Sequence, residues 1–202
     1  MEVVQEKRLL FTDVIKAGVT LGAKNILPLI LATILYIITI WIPYLNVGTT
    51  IGMYKLIIAL GRDGKVDPCS IFDKENFKPV GNFFILMGIM AAGYLAAAIF
   101  MIIPAFILSI AWSMAIFIMI DKEVTPTKAL SLSYSVTLGE KWKIFFIMFV
   151  LCLASSGVSA LLALIPKVGA VLATIAEIFF AAFILGVDGV IYKKLSQKII
   201  GA

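Results

Sequence analysis

Histidine is absent from this chain of 202 residues, and only two cysteines are present. Without histidine, the commonest general base and the commonest transition-metal ligand are both missing. Cys69 falls in a charged loop and Cys152 inside an apolar run, so no disulfide is expected between them and no cysteine cluster can hold zinc. Glycine-rich loops that cradle phosphate are also lacking. Charged residues make up only 14% of the chain, where a soluble domain carries about a quarter. These gaps remove the usual metal, nucleotide and nucleophile–base signatures, so no enzyme activity, metal or cofactor is expected.

What fills the chain instead is hydrocarbon: 62% of the residues are hydrophobic. A helix that crosses a bilayer needs roughly 20 mainly apolar residues, and the runs 26–45, 82–103, 144–165 and 168–191 have that length. Two shorter runs, 105–120 and 46–61, reach about 24 Å as helices and cross only with little tilt or a locally thinned bilayer. Ile42-Pro43, Ile103-Pro104 and Ile165-Pro166 each separate two apolar runs. Proline disfavours helix at the residue before it and is accepted in the first turn after it, so each pair reads as a hairpin tip. The expected fold is an all-α membrane protein of one domain. It has six transmembrane helices in three hairpins, with units of approximately 1–61, 62–121 and 122–202.

The first and third units share further residues. Val19-Thr20-Leu21-Gly22-Ala23-Lys24 precedes the first hairpin and Val136-Thr137-Leu138-Gly139-Glu140-Lys141 the last, while Val47-Gly48 and Val168-Gly169 follow the respective tips. The pattern reads as an internal duplication.

Charge placement orients the spans. Fifteen of the seventeen lysines and arginines lie before residue 25, in the loops 62–78 and 121–143, or after residue 192; Lys167 alone lies at a tip, and Lys55 lies in a span. The positive-inside rule puts those loops and both termini in the cytoplasm. The net charge of +5 is therefore topology information and does not point to nucleic acid. No cleavable leader is expected, because Lys7, Arg8, Asp13, Lys16 and Lys24 precede the first apolar run. Trp41 and Trp142 are expected near opposite interfaces.

The cytoplasmic segments carry patterns of their own. Leu10, Val14, Ala17 and Leu21 form one helical stripe opposite Asp13, Lys16, Thr20 and Lys24, as in a helix lying on a membrane or beneath a bundle. In 128–138, leucines, Tyr134 and Val136 alternate with serines and Thr137, a strand-like period of two. A lone strand beside lipid would leave its backbone unpaired. A helix capped near Thr125 or Thr127 and ended by Gly139 is expected instead.

Ala129-Leu130, Ser133, Gly139 and Trp142, entering an apolar helix, resemble the Ala-Leu-x-x-Ser-x-x-x-x-x-Gly-x-x-Trp signature of a broad prokaryotic membrane family, largely of unknown function. That family includes the membrane domain found beside glycerophosphodiester phosphodiesterases. The resemblance implies an all-helical membrane domain in a prokaryotic plasma membrane and carries no catalytic residue.

Charges at membrane depth are the remaining outliers. Glu177 lies eleven residues after Pro166 and Lys55 twelve after Pro43, about 17 Å from each tip by helical rise. Such residues normally face protein or water, and the expectation is that Lys55 and Glu177 face one interior. Two readings stay open. Glu177 is a proton or cation site lined by Ser155, Ser156 and Ser159, with Lys55 tuning its charge; or the pair is a structural tie, or Lys55 snorkels past Gly61 to the cytoplasmic interface while Glu177 stays protonated. Asp188, close to Lys193 and Lys194, is read as an interfacial ion pair. Gly88, Ala92 and Ala96, and likewise Gly93 and Ala97, repeat every four residues as small-residue stripes for close helix packing. The scattered methionines read as packing rather than as a metal path. Function is expected to be transporter-like or channel-like, for a small ion, a proton or a lipid-like solute, in a possible homo-oligomer. The alternative is a non-transporting scaffold or regulatory module that binds anionic lipid or a partner protein.

Overall fold

The computed structural model describes residues 9–199, and among them the chain is helices and turns without a strand. The helices are α1 (Phe11–Lys24), α2 (Ile26–Thr39), α3 (Leu45–Asp63), α4 (Val80–Phe100), α5 (Ile102–Trp112), α6 (Ala115–Lys122), α7 (Pro126–Thr137), α8 (Lys141–Ala163) and α9 (Gly169–Ser196). Two short 3-10 turns, Pro68–Phe72 and Lys74–Phe77, stand between α3 and α4.

Four stretches are long and apolar enough to cross a membrane: α4, α5 with α6, α8 and α9. A fifth exists only if α1 and α2 are taken as one span bent by 81°. The run 105–120, short as read from sequence, gains length because helix begins at Ile102 and continues to Lys122. The run 26–45 loses it, because α2 stops at Thr39 after 14 residues. The run 46–61 falls in α3, which is not among the candidate spans.

The bend between α1 and α2 is built by Asn25. Its side chain donates to the Leu21 carbonyl at 3.1 Å and to the Gly64 carbonyl at 2.9 Å, tying the corner to the end of α3. The α2–α3 tip and the α8–α9 tip share one turn. Tyr44 and Lys167, each after the proline, have φ of 69° and 71°. Leu45 N–H donates to Pro43 at 2.9 Å and Val168 N–H to Pro166 at 2.9 Å; Asn46 donates to Ile42 at 3.0 Å and Gly169 to Ile165 at 2.9 Å. Tyr44 therefore corresponds to Lys167. The repeated Val-Gly pairs are two residues out of this register.

The charged segment after α3 folds back along that helix. Gly48 lies against the Phe77 ring, and a Cβ on Gly52 would meet the Ile71 backbone at 2.6 Å. The Phe77 ring also stacks on Tyr44 at 5.2 Å, so the segment reaches the Pro43 tip just before α4 begins. At Gly52 the Ile71 backbone leaves no room for a side chain, whereas at Gly48 the space is taken by the Phe77 ring.

Helix α9 is the hub. Gly18 of α1 lies on the Val187 backbone, a Cβ on Gly22 would meet the Ala182 carbonyl at 2.6 Å, and Gly186 lies against Gly18 and Gly22. On another face Gly189 meets Gly61 of α3. The apolar stripe read for α1 is thus rotated: Val14, Gly18 and Gly22 are buried, whereas Leu10 and Ala17 are exposed. The stripe of Gly88, Ala92 and Ala96 faces away from the other helices of this chain. A Cβ on Gly88 would meet nothing within 4 Å, and both alanines are exposed. Gly93, one residue around the helix from Ala92, takes the packing role against the Trp112 ring.

The residues 128–137 are helical, with Thr125 as N-cap, Pro126 in the first turn, Leu138 extended at the C-cap and Gly139 at φ +79° after it. Helix α7 also repairs the break between α5 and α6. The Ala111 carbonyl, in the last turn of α5, accepts from Ser133 Oγ at 2.7 Å and from Thr137 Oγ1 at 3.3 Å. Last-turn carbonyls lack an intrahelical partner, and here two hydroxyls of a second helix supply one.

Candidate functional site

The α8–α9 hairpin closes tightly at its tip, where a Cβ on Gly169 would meet the carbonyls of Leu162 and Ala163 at 2.6 and 2.7 Å. Eight residues into α9, about 12 Å by helical rise, Glu177 faces α8. Ser155 and Ser159 stand one turn apart on α8, so their hydroxyls share a face. Ser155 Oγ donates to Glu177 Oε2 at 2.6 Å, and Ser159 Oγ donates to Oε1 at 2.6 Å. Each carboxylate oxygen therefore holds one short, charge-assisted bond. Ser156 is exposed and makes neither bond, because one residue turns a helix by about 100°. Ser155 is buried, but Glu177 lies on the outer surface of the chain. Around it the hairpin exposes Leu153, Leu161, Val171, Ile175 and Phe179.

Lys55 is elsewhere. Its Nζ donates to the Glu75 carbonyl at 3.2 Å, in a cleft of about 320 Å³ that also holds Lys78 and Glu123. The Lys78 ammonium bonds to the Glu75 carboxylate at 2.5 Å, which raises its pKa above the ordinary lysine value. The expectation that Lys55 and Glu177 face one interior is corrected. Helix α3 meets α9 at Gly61 and Gly189, twelve residues below Glu177, and its Lys55 face looks toward α6 and the folded-back segment. In the tip register Tyr54, not Lys55, corresponds to Glu177.

Two charge clusters were missed by reasoning from sequence. Asp121, with a side chain only 3% exposed, binds Arg62 at 2.5 Å and accepts from Tyr192 Oη at 2.6 Å, with Lys122 at 3.6 Å. Arg62 and Tyr192 are 59 and 71 residues away from Asp121, beyond the reach of any local pattern. Glu140, inside the Gly-x-x-Trp motif, is buried between Lys143 at 2.9 Å and Lys198 at 3.7 Å. The two clusters join α3, α6, α8 and α9 at one charged end of the bundle. The turns at Met101 and Lys167 lie at the opposite ends of their helices. Asp188 has no ion pair with Lys193 or Lys194, in contrast to its reading from sequence.

Several of these helices are long and apolar enough to cross a membrane, and their outer faces are apolar, as in a multi-pass helical membrane protein. Compared with known protein families, curated proteins and solved structures, the chain matches none.

Proposed function

We propose that this protein binds a proton or a small monovalent cation at Glu177 and passes it across the membrane between copies of the chain. The observation that carries the reading is a carboxylate with one serine on each oxygen, set in the apolar outer face of a hairpin. A lone charged group at mid-span costs about 2.5–3.5 kcal/mol on insertion scales. Such a group is kept from lipid by protonation or by a neighbouring subunit, and both states are what a proton or cation carrier alternates between. Two carboxylate and two hydroxyl oxygens form a hard donor set suited to a cation such as sodium. By the positive-inside rule the charged end is cytoplasmic, with four helices crossing and the α2–α3 hairpin lying at that end. The Ala-Leu, Ser, Gly and Trp motif supports placing the chain with the prokaryotic membrane family it resembles.

The test is flux into liposomes under imposed proton and sodium gradients. Wild-type protein is expected to conduct one of the two, Glu177→Gln to lose most of that flux, and Ser155→Ala with Ser159→Ala to weaken it. A correctly folded wild type with no flux under either gradient overturns the reading. That result favours a non-transporting scaffold, whose support is the concentration of lysines at the charged end.

A further inference from the structure

At the charged end, α1, the last turn of α3 and the last turns of α9 enclose a cleft of about 840 Å³. Its volume lies in the range of small-molecule sites, about 300–1,000 Å³. The cleft is a consequence of the glycine contacts. Because Gly18, Gly22 and Gly186 bring the α1 and α9 backbones together, the face of α1 that packs is Val14, Gly18 and Gly22. The apolar stripe of Leu10, Ala17 and Leu21 is turned out of that contact and lines the cleft, together with Leu60 and Val190. Gly64, in the left-handed region at φ +68°, ends α3 at its edge.

The charges around this apolar floor are balanced. Asp13 and Asp63 face the cleft from α1 and α3, and Lys193 and Lys194 from α9. Arg62 also borders it, but its guanidinium is engaged by Asp121. A purely anionic headgroup would meet two carboxylates here, and a purely cationic one two ammonium groups. A head that carries both signs satisfies both pairs. A primary ammonium supplies three N–H donors for carboxylates, which a quaternary ammonium lacks.

We infer that this cleft binds the head of a zwitterionic phospholipid of the phosphoethanolamine type, phosphate toward Lys193 and Lys194, ammonium toward Asp13 and Asp63. The leading acyl segments lie on Leu10, Ala17 and Leu21. The inference stands on different residues from the carrier reading and survives or fails apart from it.

The test uses the full chain, reconstituted in vesicles of phosphatidylethanolamine, phosphatidylglycerol and phosphatidylcholine in equal parts. The protein is then extracted in mild detergent, and the retained lipid is read by native mass spectrometry. Retention of phosphatidylethanolamine about tenfold above either other lipid is expected, a free-energy difference of ~1.4 kcal/mol. Asp13→Asn with Asp63→Asn should erase the preference over phosphatidylcholine and admit phosphatidylglycerol. Lys193→Gln with Lys194→Gln should lower retention of all three, and Glu177→Gln should change nothing. The four cleft side chains lie at the rim and outside the core, so these variants are expected to fold. Equal or stronger retention of phosphatidylglycerol overturns the inference, as does a preference unchanged in both double variants. Soluble phosphoethanolamine displacing the lipid completely would move the assignment from a lipid to a free metabolite and overturn it as well. So would retention that begins only when residues 1–8 are deleted, since the cleft would then belong to the chain's own N-terminal segment.

Discussion

Asp121 follows the apolar run of α6 and stands beside Lys122, where a carboxylate would ordinarily be solvated. In the fold it is nearly inaccessible and collects Arg62, Tyr192 and Lys122. Hydrogen bonds to charged groups contribute about 1.5–3 kcal/mol each, and a buried group left unpaired costs a similar amount. Arg62 is 47% exposed and can be rehydrated, which lowers the penalty. Asp121→Asn is therefore expected to destabilise by about 2 kcal/mol in reversible unfolding in detergent. A change within the error of the measurement would mean that the cluster is an end-of-helix ornament rather than a tie. Ser133 and Thr137 make a second residue-scale case. Ser133→Ala alone leaves Thr137 on the Ala111 carbonyl and should cost about 1 kcal/mol, whereas Ser133→Ala with Thr137→Val orphans that buried carbonyl and should cost more than the two single effects added. Equal single and double effects would show that the Ala111 carbonyl has another partner.

At the scale of elements, glycine decides which helices touch. Gly18 and Gly88 both sit in helices with small residues at four-residue spacing, and the sequence treats them alike. Their surroundings differ completely: a side chain at Gly18 runs into the Val187 backbone, whereas one at Gly88 meets open space. Gly18→Val should therefore push α1 off α9, with a penalty of about 1–3 kcal/mol or more, as for overpacking, and faster proteolysis within α1. Gly88→Val should stay within about 0.5 kcal/mol of wild type in detergent. If Gly88→Val instead abolishes a detergent-stable oligomer while the monomer keeps its stability, the open stripe on α4 is the surface where copies meet. The helix from 126 to 137 was legible because an unpaired strand beside lipid is too costly. The rotation of α1 was not, because a glycine face that packs by backbone approach carries no hydrophobic signal.

For the whole molecule, the number of crossings turns on where the first hairpin tip lies. The Phe77 ring stacks on Tyr44 three residues before α4 begins, which places the first tip beside the charged end, in contrast to the other two tips. Single cysteines at Trp41, Met101, Lys122 and Lys167, introduced after replacing Cys69 and Cys152, can be labelled by a membrane-impermeant thiol reagent in oriented vesicles. Trp41 is 85% exposed, so labelling there should not be limited by packing. The expected pattern is Trp41 with Lys122 on one side and Met101 with Lys167 on the other. Labelling of Trp41 together with Lys167 would restore a crossing first hairpin and sink the arrangement of α2 and α3 proposed here.

Composition and hydropathy by themselves determined that this is a helical protein of membrane character, where its proline turns fall, and that Glu177 is an outlier whose neighbours on α8 are serines. Those are local properties, set by the length of apolar runs, by proline's backbone and by the spacing of residues on one helix. Tertiary structure alone decided that Lys55 and Glu177 lie apart, that the first hairpin is wrapped by a charged segment, and that Arg62, Asp121 and Tyr192 meet. Each of these depends on backbones approaching at glycine or on partners many tens of residues away. Hydrophobic periodicity records which face of a helix avoids water, but not which of several apolar surfaces covers it.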